Sequence, residues 1–172
     1  MDVFSRTFLP ATAEAGLPIP VVSQHMPMLR RCVPPEETTV LVARAQRPGA
    51  PMADFLLLLT SRRLVVTRQS RLLHRVQLYL AAQLQDLSQI SWTADPGSGL
   101  ELAATAADGV RERFWIPARD PRRVRHLDAL FSHAFRARTG PGGDRSGAAV
   151  AAAPRPGGRP PPADKRAPLL VS

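Results

Sequence analysis

Leu58-Leu59-Thr60-Ser61-Arg62-Arg63-Leu64-Val65-Val66 is the stretch on which the fold turns. Two apolar runs, Asp54 to Thr60 and Leu64 to Arg68, flank a tight Ser61-Arg62 corner, so together they read as a β-hairpin. Thr60 can hydrogen-bond its own turn, Arg62 and Arg63 solvate the corner, and Leu64 returns the chain to the core. Phe55 to Leu59 is apolar without alternation, which suits a strand buried on both faces. It is the chain's strongest apolar run, yet far short of the roughly 20 residues a membrane-spanning helix needs.

Strand patterns continue on both sides of the hairpin. Thr38 to Arg44 is rich in β-branched residues. Val76, Leu78 and Leu80 alternate with Gln77 and Tyr79, the pattern of a half-buried strand. A helix over residues 72–87 is the rival, since Leu72, Val76, Leu80, Leu84 and Leu87 roughly share a helical face. The preferred reading is strand through Leu80, a bend, then strand from about Leu87 to Thr93. Asp95-Pro96-Gly97-Ser98-Gly99 is turn chemistry, and Leu100, Leu102 and Ala104 alternate beyond it. Asp108-Gly109 is the strongest short hairpin signal in the chain. Past it, Val110, Glu112, Phe114 and Ile116 fall on one strand face, with Arg111, Arg113 and Trp115 on the other. The last element is a helix with Asp120 as N-cap and Pro121 at its first position. Its apolar stripe is Val124, Leu127, Leu130, Phe131, Ala134 and Phe135, within an arc of about 140°.

Six or seven antiparallel strands ending in one amphipathic helix resemble a pleckstrin-homology-like (PH-like) barrel. Residues Leu58 to Val66 are similar to the "LTxxRL" hairpin of bacterial PH-like and GRAM domains. Leu84 to Trp92 is similar to the family's bend leading into the next strand. Asp108-Gly109 resembles its later hairpin, and 121–138 its capping helix. The resemblance covers about 100 residues, from near Glu36 to Arg138. It implies an α+β, mainly β fold, a PH-like barrel capped by a C-terminal helix. The family brings no single invariant catalytic residue.

Proline sets the expected boundaries: eight of the 18 prolines fall in residues 1–51, three in 52–138 and seven in 139–172. Residues 1–35 are read as a Pro-punctuated N-terminal arm, partly ordered, carrying Phe4, Phe8, Leu9, Leu17, Ile19, Val21 and Val22. Residues 36–138 are read as the PH-like domain. Residues 139–172, rich in Pro, Gly, Ala and Arg, lack the apolar side chains to offset chain entropy and are expected to be disordered.

The formal charge is +9, and 22 of the 23 basic side chains are arginine. Near-total replacement of lysine fits GC-rich codon usage as well as selection for a guanidinium fork. The charge is also unevenly placed: residues 61–91 and 121–138 are basic, and 92–120 are acidic. One cysteine excludes a disulfide framework within the chain and a zinc site of several thiolates. Asp2, Arg6 and Glu14, with Pro10, Pro18 and Pro20, make a poor secretory signal. The expected address is the cytoplasm, with the inner face of the membrane as an alternative.

Reactive constellations are sparse. His25, His74, His126 and His133 form no H-x-x-x-H, and His126 and His133 stand two helical turns apart, too far for one metal without a bridging ligand. Ser70 and His74 have no nucleophile elbow or oxyanion loop around them. No glycine-rich phosphate cradle is present. Cys32 lies beside Arg30 and Arg31, which could lower its pKa. No catalytic residue, metal or cofactor is therefore expected. The expected function is a non-enzymatic interaction module for a protein or peptide. The alternative is peripheral binding to anionic lipid through Arg62, Arg63, Arg68, Arg71 and Arg75, and a lesser one is nucleic-acid binding. Arg111 and Arg113, flanking an outward Trp115, complete the candidate surface.

Overall fold

The Thr60 hydroxyl turns the hairpin corner, accepting hydrogen bonds from the backbone N–H groups of Arg62 (3.3 Å) and Arg63 (3.0 Å). The computed structural model describes residues 2–50, 53–71 and 75–136. Four strands form one antiparallel sheet in sequence order: β1 (Thr39–Ala45), β2 (Ala53–Thr60), β3 (Arg63–Ser70) and β4 (Val76–Gln83). Strands β5 (Ser88–Asp95), β6 (Gly99–Thr105) and β7 (Arg111–Pro117) form a second. A short 3₁₀ turn, Leu84–Asp86, leads from β4 to β5.

The fold is thus mainly β, as the sequence indicates, but it is two sheets and not one closed ladder. They are joined where Gln46 and Trp115 exchange backbone hydrogen bonds of 2.7 and 2.8 Å. Among the described residues, no ladder joins β4 to β5. Helix α3 (Pro121–Arg136) packs on the core between the sheets. Its N-terminus is built as expected: the Asp120 carboxylate accepts from Arg122 N–H at 2.9 Å, and its carbonyl from Val124 N–H at 3.1 Å. Val124, Leu127, Phe131 and Phe135 are buried against Leu57, Leu59, Leu100, Leu102 and Phe114. Trp92 stacks on Phe131 and packs tilted against Phe135, and its indole N–H donates to Asp128 at 2.8 Å.

Residues 76–83 are strand, so the rival helix does not form. The inward face differs from a simple alternation, however. The β3–β4 register shifts between Val66, opposite Leu80, and Thr67, opposite Leu78, leaving Tyr79 as an extra residue. Such a bulge changes which side chains face inward. Tyr79 packs edge-on to Phe55 and Phe114, while Leu78 is 44% exposed. At the β5–β6 turn, Gly99 has φ +146°, and a Cβ there would lie 2.2 Å from the Ile116 carbonyl.

The N-terminal segment forms two helices, α1 (Val3–Glu14) and α2 (Ile19–Cys32), despite Pro10 and Pro27 within them. Asp2 caps α1, accepting from Ser5 N–H at 2.6 Å. Phe4, Phe8, Leu17, Val22 and Leu29 bury themselves against Val42, Leu56, Leu58 and Val65 on the far face of the first sheet. Strand β2 is therefore buried on both sides: Phe55, Leu57 and Leu59 face the second sheet, and Leu56 and Leu58 face the helices. The described residues hold no helix long and apolar enough to cross a membrane. The tail expected over 139–172 lies outside the described residues, as does His74.

Candidate interaction surfaces

Strand β3 divides the arginines of the hairpin region. Its eight residues span about 25 Å, so Arg62 and Arg63 stand at one end and Arg71 at the other. Arg62, Arg68 and Arg75 are exposed. Arg71 is exposed but engaged, donating to the Asp54 carboxylate at 2.9 and 3.1 Å. That bond holds the Asp54 carboxyl below its ordinary value.

Arg63, which the sequence placed on the candidate surface, is half-buried and already engaged. Its Nε donates to buried Glu37 at 2.9 Å, and its Nη1 donates to the Cys32 carbonyl at 2.7 Å. Thr60 Oγ1 also donates to Glu37, at 2.6 Å. The same carboxylate thus takes Thr60 and Arg63 at the two ends of the hairpin corner, and burial of a charge demands such pairing. Burial pushes the Cys32 thiol above its ordinary value, with Arg63 opposing, which fits an ordinary cysteine.

Arg111, Arg113 and Trp115 do share one face, the outer side of the second sheet. Register places Arg113 beside Ala103 and Ser91, and Trp115 beside Glu101 and Thr93. Arg111 donates to the Gln89 carbonyl and to Ser91 Oγ, each at 3.2 Å. Arg113 stands 3.8 Å from Glu101, both well exposed, a weak pairing that leaves most of its donors to solvent. Between these side chains lies a shallow concavity of about 120 Å³. Trp115 is half-buried and leans over Gly99, whose missing side chain lets the indole approach. The face offers the Arg113 guanidinium, the exposed but already bonded Arg111 beside it and one aromatic edge, a set that recognises carboxylates and planar groups.

Besides Glu37, two further buried polar groups, Glu112 and His25, hold partners that the sequence reading did not single out. Glu112 lies on the apolar face of β7, where a carboxylate needs partners. Tyr79 donates its hydroxyl to it at 2.9 Å, and Arg47 donates at 3.0 Å while its guanidinium sits 5.2 Å over the Tyr79 ring. Burial first, then Glu112, raise the Tyr79 pKa. The signal was legible: an acid in register with Phe114 and Ile116 marks a pair across the core.

His25, buried in α2, shares a 2.7 Å hydrogen bond with Thr67 of β3. Burial lowers its pKa from 6.5, with Arg44 acting in the same direction and Gln69 and Asp54 opposing. The unfolded chain therefore binds a proton that the folded one resists. The contribution to stability is full above pH 6.5 and is lost as pH falls below it. Urea midpoints at pH 7.5 and 5.0 are expected to differ less for His25→Gln than for the parent protein. An equal pH dependence for both would show that His25 is not responsible. Among the described residues, no group of three or more His, Cys, Asp or Glu side chains is placed to hold a metal ion.

No protein-family model matches the sequence, and no curated protein matches it. Among solved structures, the chain is similar to the hSac2 domain from human phosphoinositide phosphatase Sac2. The identity is 17% and the TM-score 0.48, over 69% of this chain and 82% of that one.

Proposed function

We propose that this chain is a PH-like barrel of the bacterial GRAM-like kind, acting as a non-enzymatic interaction module. Its partner is a protein or peptide, bound on the outer face of β5–β7. The observation that carries this reading is an asymmetry of cover. Strands β1–β3 of the first sheet are buried on both faces, by the second sheet and by α1 and α2, while β4 is more exposed. The second sheet has cover on its inner face, while Arg111 and Arg113 are exposed on its outer face beside Trp115. An acidic or amide-rich segment suits the exposed Arg113 with the charge of Arg111 beside it, and a flat group suits the indole. A module that does no chemistry is supported by burial raising the Cys32 thiol above its ordinary value and by the His25 imidazole being hydrogen-bonded to Thr67.

An anionic membrane surface is the weaker reading. Its five arginines are split between two ends of β3, and Arg63 and Arg71 are already paired with carboxylates. A cytoplasmic address accompanies the proposal, because one lone thiol needs no oxidising compartment.

The test is capture from native lysate by the full chain and by the charge-reversed Arg111→Glu/Arg113→Glu variant. The expected result is a protein retained by the parent and reduced at least tenfold with the variant. Equal capture by both would move the working surface elsewhere.

A further inference from the structure

We propose, on the footing that the outer face of β5–β7 is the binding surface, that its hollow is an oxyanion site and takes a phosphorylated side chain of the protein partner. Small side chains make the hollow. Ser91, Ala103 and Arg113 lie in register across the three strands, with Thr93 and Glu101 one pair further along. Ala103 forms the floor, and the hydroxyls of Ser91 and Thr93 on β5 line the side opposite the guanidinium of Arg113 on β7. The volume of about 120 Å³ equals that of about four water molecules in the liquid, enough for a small oxyanion.

Arg111 is held ready beside it. Its Nη1 donates to the Gln89 carbonyl at 3.2 Å and to Gln89 Oε1 at 3.3 Å, and its Nη2 to Ser91 Oγ at 3.2 Å. These bonds engage three of the five N–H donors of a guanidinium and leave two for a ligand. Ser91 accepts here, so its own O–H remains to donate. Gln89 has φ +48°, the only positive φ outside glycine among the described residues, and it stands at the register shift of β5. Residues with side chains seldom adopt that backbone, and strain of this kind gathers where a group is held for a ligand. Here the strained residue supplies two of the three acceptors that fix Arg111.

Shape and charge choose a phosphate over a carboxylate. A carboxylate is planar, and one guanidinium fork satisfies it from one side. The donors here rise from strands two spacings apart, roughly 10 Å between backbones, hydroxyls on one and guanidiniums on the other. The three oxygens of a phosphoryl group can accept from both. Glu101 adds a second preference. It stands 3.8 Å from Arg113, both well exposed, and such a pair is weak. A partner carboxylate brings only the single charge that Glu101 already supplies. A phosphorylated side chain brings about −1.5 to −2 at pH 7 and displaces it.

An NMR titration of the isotope-labelled full chain with a short uncharged peptide carrying one phosphoserine tests this, beside the same peptide with serine or glutamate at that position. The phosphopeptide is expected to shift the amides of Thr93 and Ala103, to bind at least tenfold more tightly than the glutamate peptide, and to lose that binding when serine replaces phosphoserine. Arg113→Gln is expected to weaken phosphopeptide binding at least tenfold. Arg125→Gln, which removes the same charge from an exposed position on α3, is expected to leave it unchanged. No shift with the phosphopeptide would overturn the proposal, as would equal affinity for the glutamate peptide or an equal loss with Arg125→Gln. Phosphatidylcholine vesicles carrying a phosphoinositide are the remaining arm. Tighter binding to them than to the phosphopeptide, lost with Arg113→Gln, would assign the phosphate to a lipid and also overturn it. Capture from lysate that survives phosphatase treatment, yet is lost with Arg111→Glu/Arg113→Glu, would overturn the phosphate and leave the binding face standing.

Discussion

A chain that begins at residue 36 is expected to lose its cooperative melt and to aggregate, although the barrel-like pattern lies entirely beyond that point. Residues 1–35 contribute Phe4, Phe8, Leu17, Val22, Leu29 and Val33 to the interior, each at most 9% exposed. Their loss also uncovers Val42, Leu56, Leu58 and Val65 on one sheet face. Full burial of one large apolar side chain is worth about 1.5–3 kcal/mol. Ten such side chains represent more than about 10 kcal/mol of gross burial, against a typical domain stability of about 5–15 kcal/mol. Release of the helices' chain entropy offsets part of this, but leaves an apolar sheet face open to other molecules. Far-UV melting and light scattering on residues 36–172 beside the full chain measure the effect. A soluble fragment with the parent's melting temperature would show that the helices are an accessory.

The reading of residues 1–35 as an arm and their place as a structural layer differ for a definable reason. Pro10 and Pro27 are poor residues for a helix interior, since each removes a backbone donor and crowds the preceding turn. The helices tolerate them because tertiary burial, and not propensity, stabilises short helices in proteins. The spacing Phe4–Phe8 and Val22–His25–Leu29 already carried the helical period. A second clue lay in the hairpin itself. An antiparallel strand as continuously apolar as Phe55–Leu59 needs cover on both faces, and the N-terminal segment holds the apolar side chains to supply it.

Features set by local chemistry were legible: the Thr60 corner, the Asp108-Gly109 turn, the Asp120 cap and the alternation of Arg111, Arg113 and Trp115. Those set by partners distant in sequence were not. Nothing near Tyr79 announces the bulge that turns it inward in place of Leu78, because the cause is its pairing with β3 and its reach to Glu112. Arg63 looks like Arg62 in sequence and differs because Glu37, 26 residues earlier, lies beside it.

That difference gives the second large effect. Glu37→Ala is expected to cost about 3 kcal/mol, the scale for breaking a buried ion pair by removing one partner. Glu37 is 3% exposed and accepts from both Thr60 and Arg63, so its loss strands a hydroxyl and a guanidinium together. Arg63 retains some contact with water, its side chain being 25% exposed, which keeps the cost at the lower end of that scale. The arginine's second bond, to the Cys32 carbonyl, ends α2 with a positive charge at its negative pole. One carboxylate therefore ties the hairpin corner to the helical layer whose removal is argued above. Arg62→Ala, one residue away and exposed, is expected to change stability by less than about 0.5 kcal/mol. The double variant Glu37→Leu/Arg63→Met is expected to cost less than the sum of Glu37→Ala and Arg63→Ala, because no charge is left buried alone. Urea unfolding midpoints at constant slope give these values. A loss below about 1 kcal/mol for Glu37→Ala would mean that Arg63 swings into solvent and that Glu37 contributes little to holding the helices.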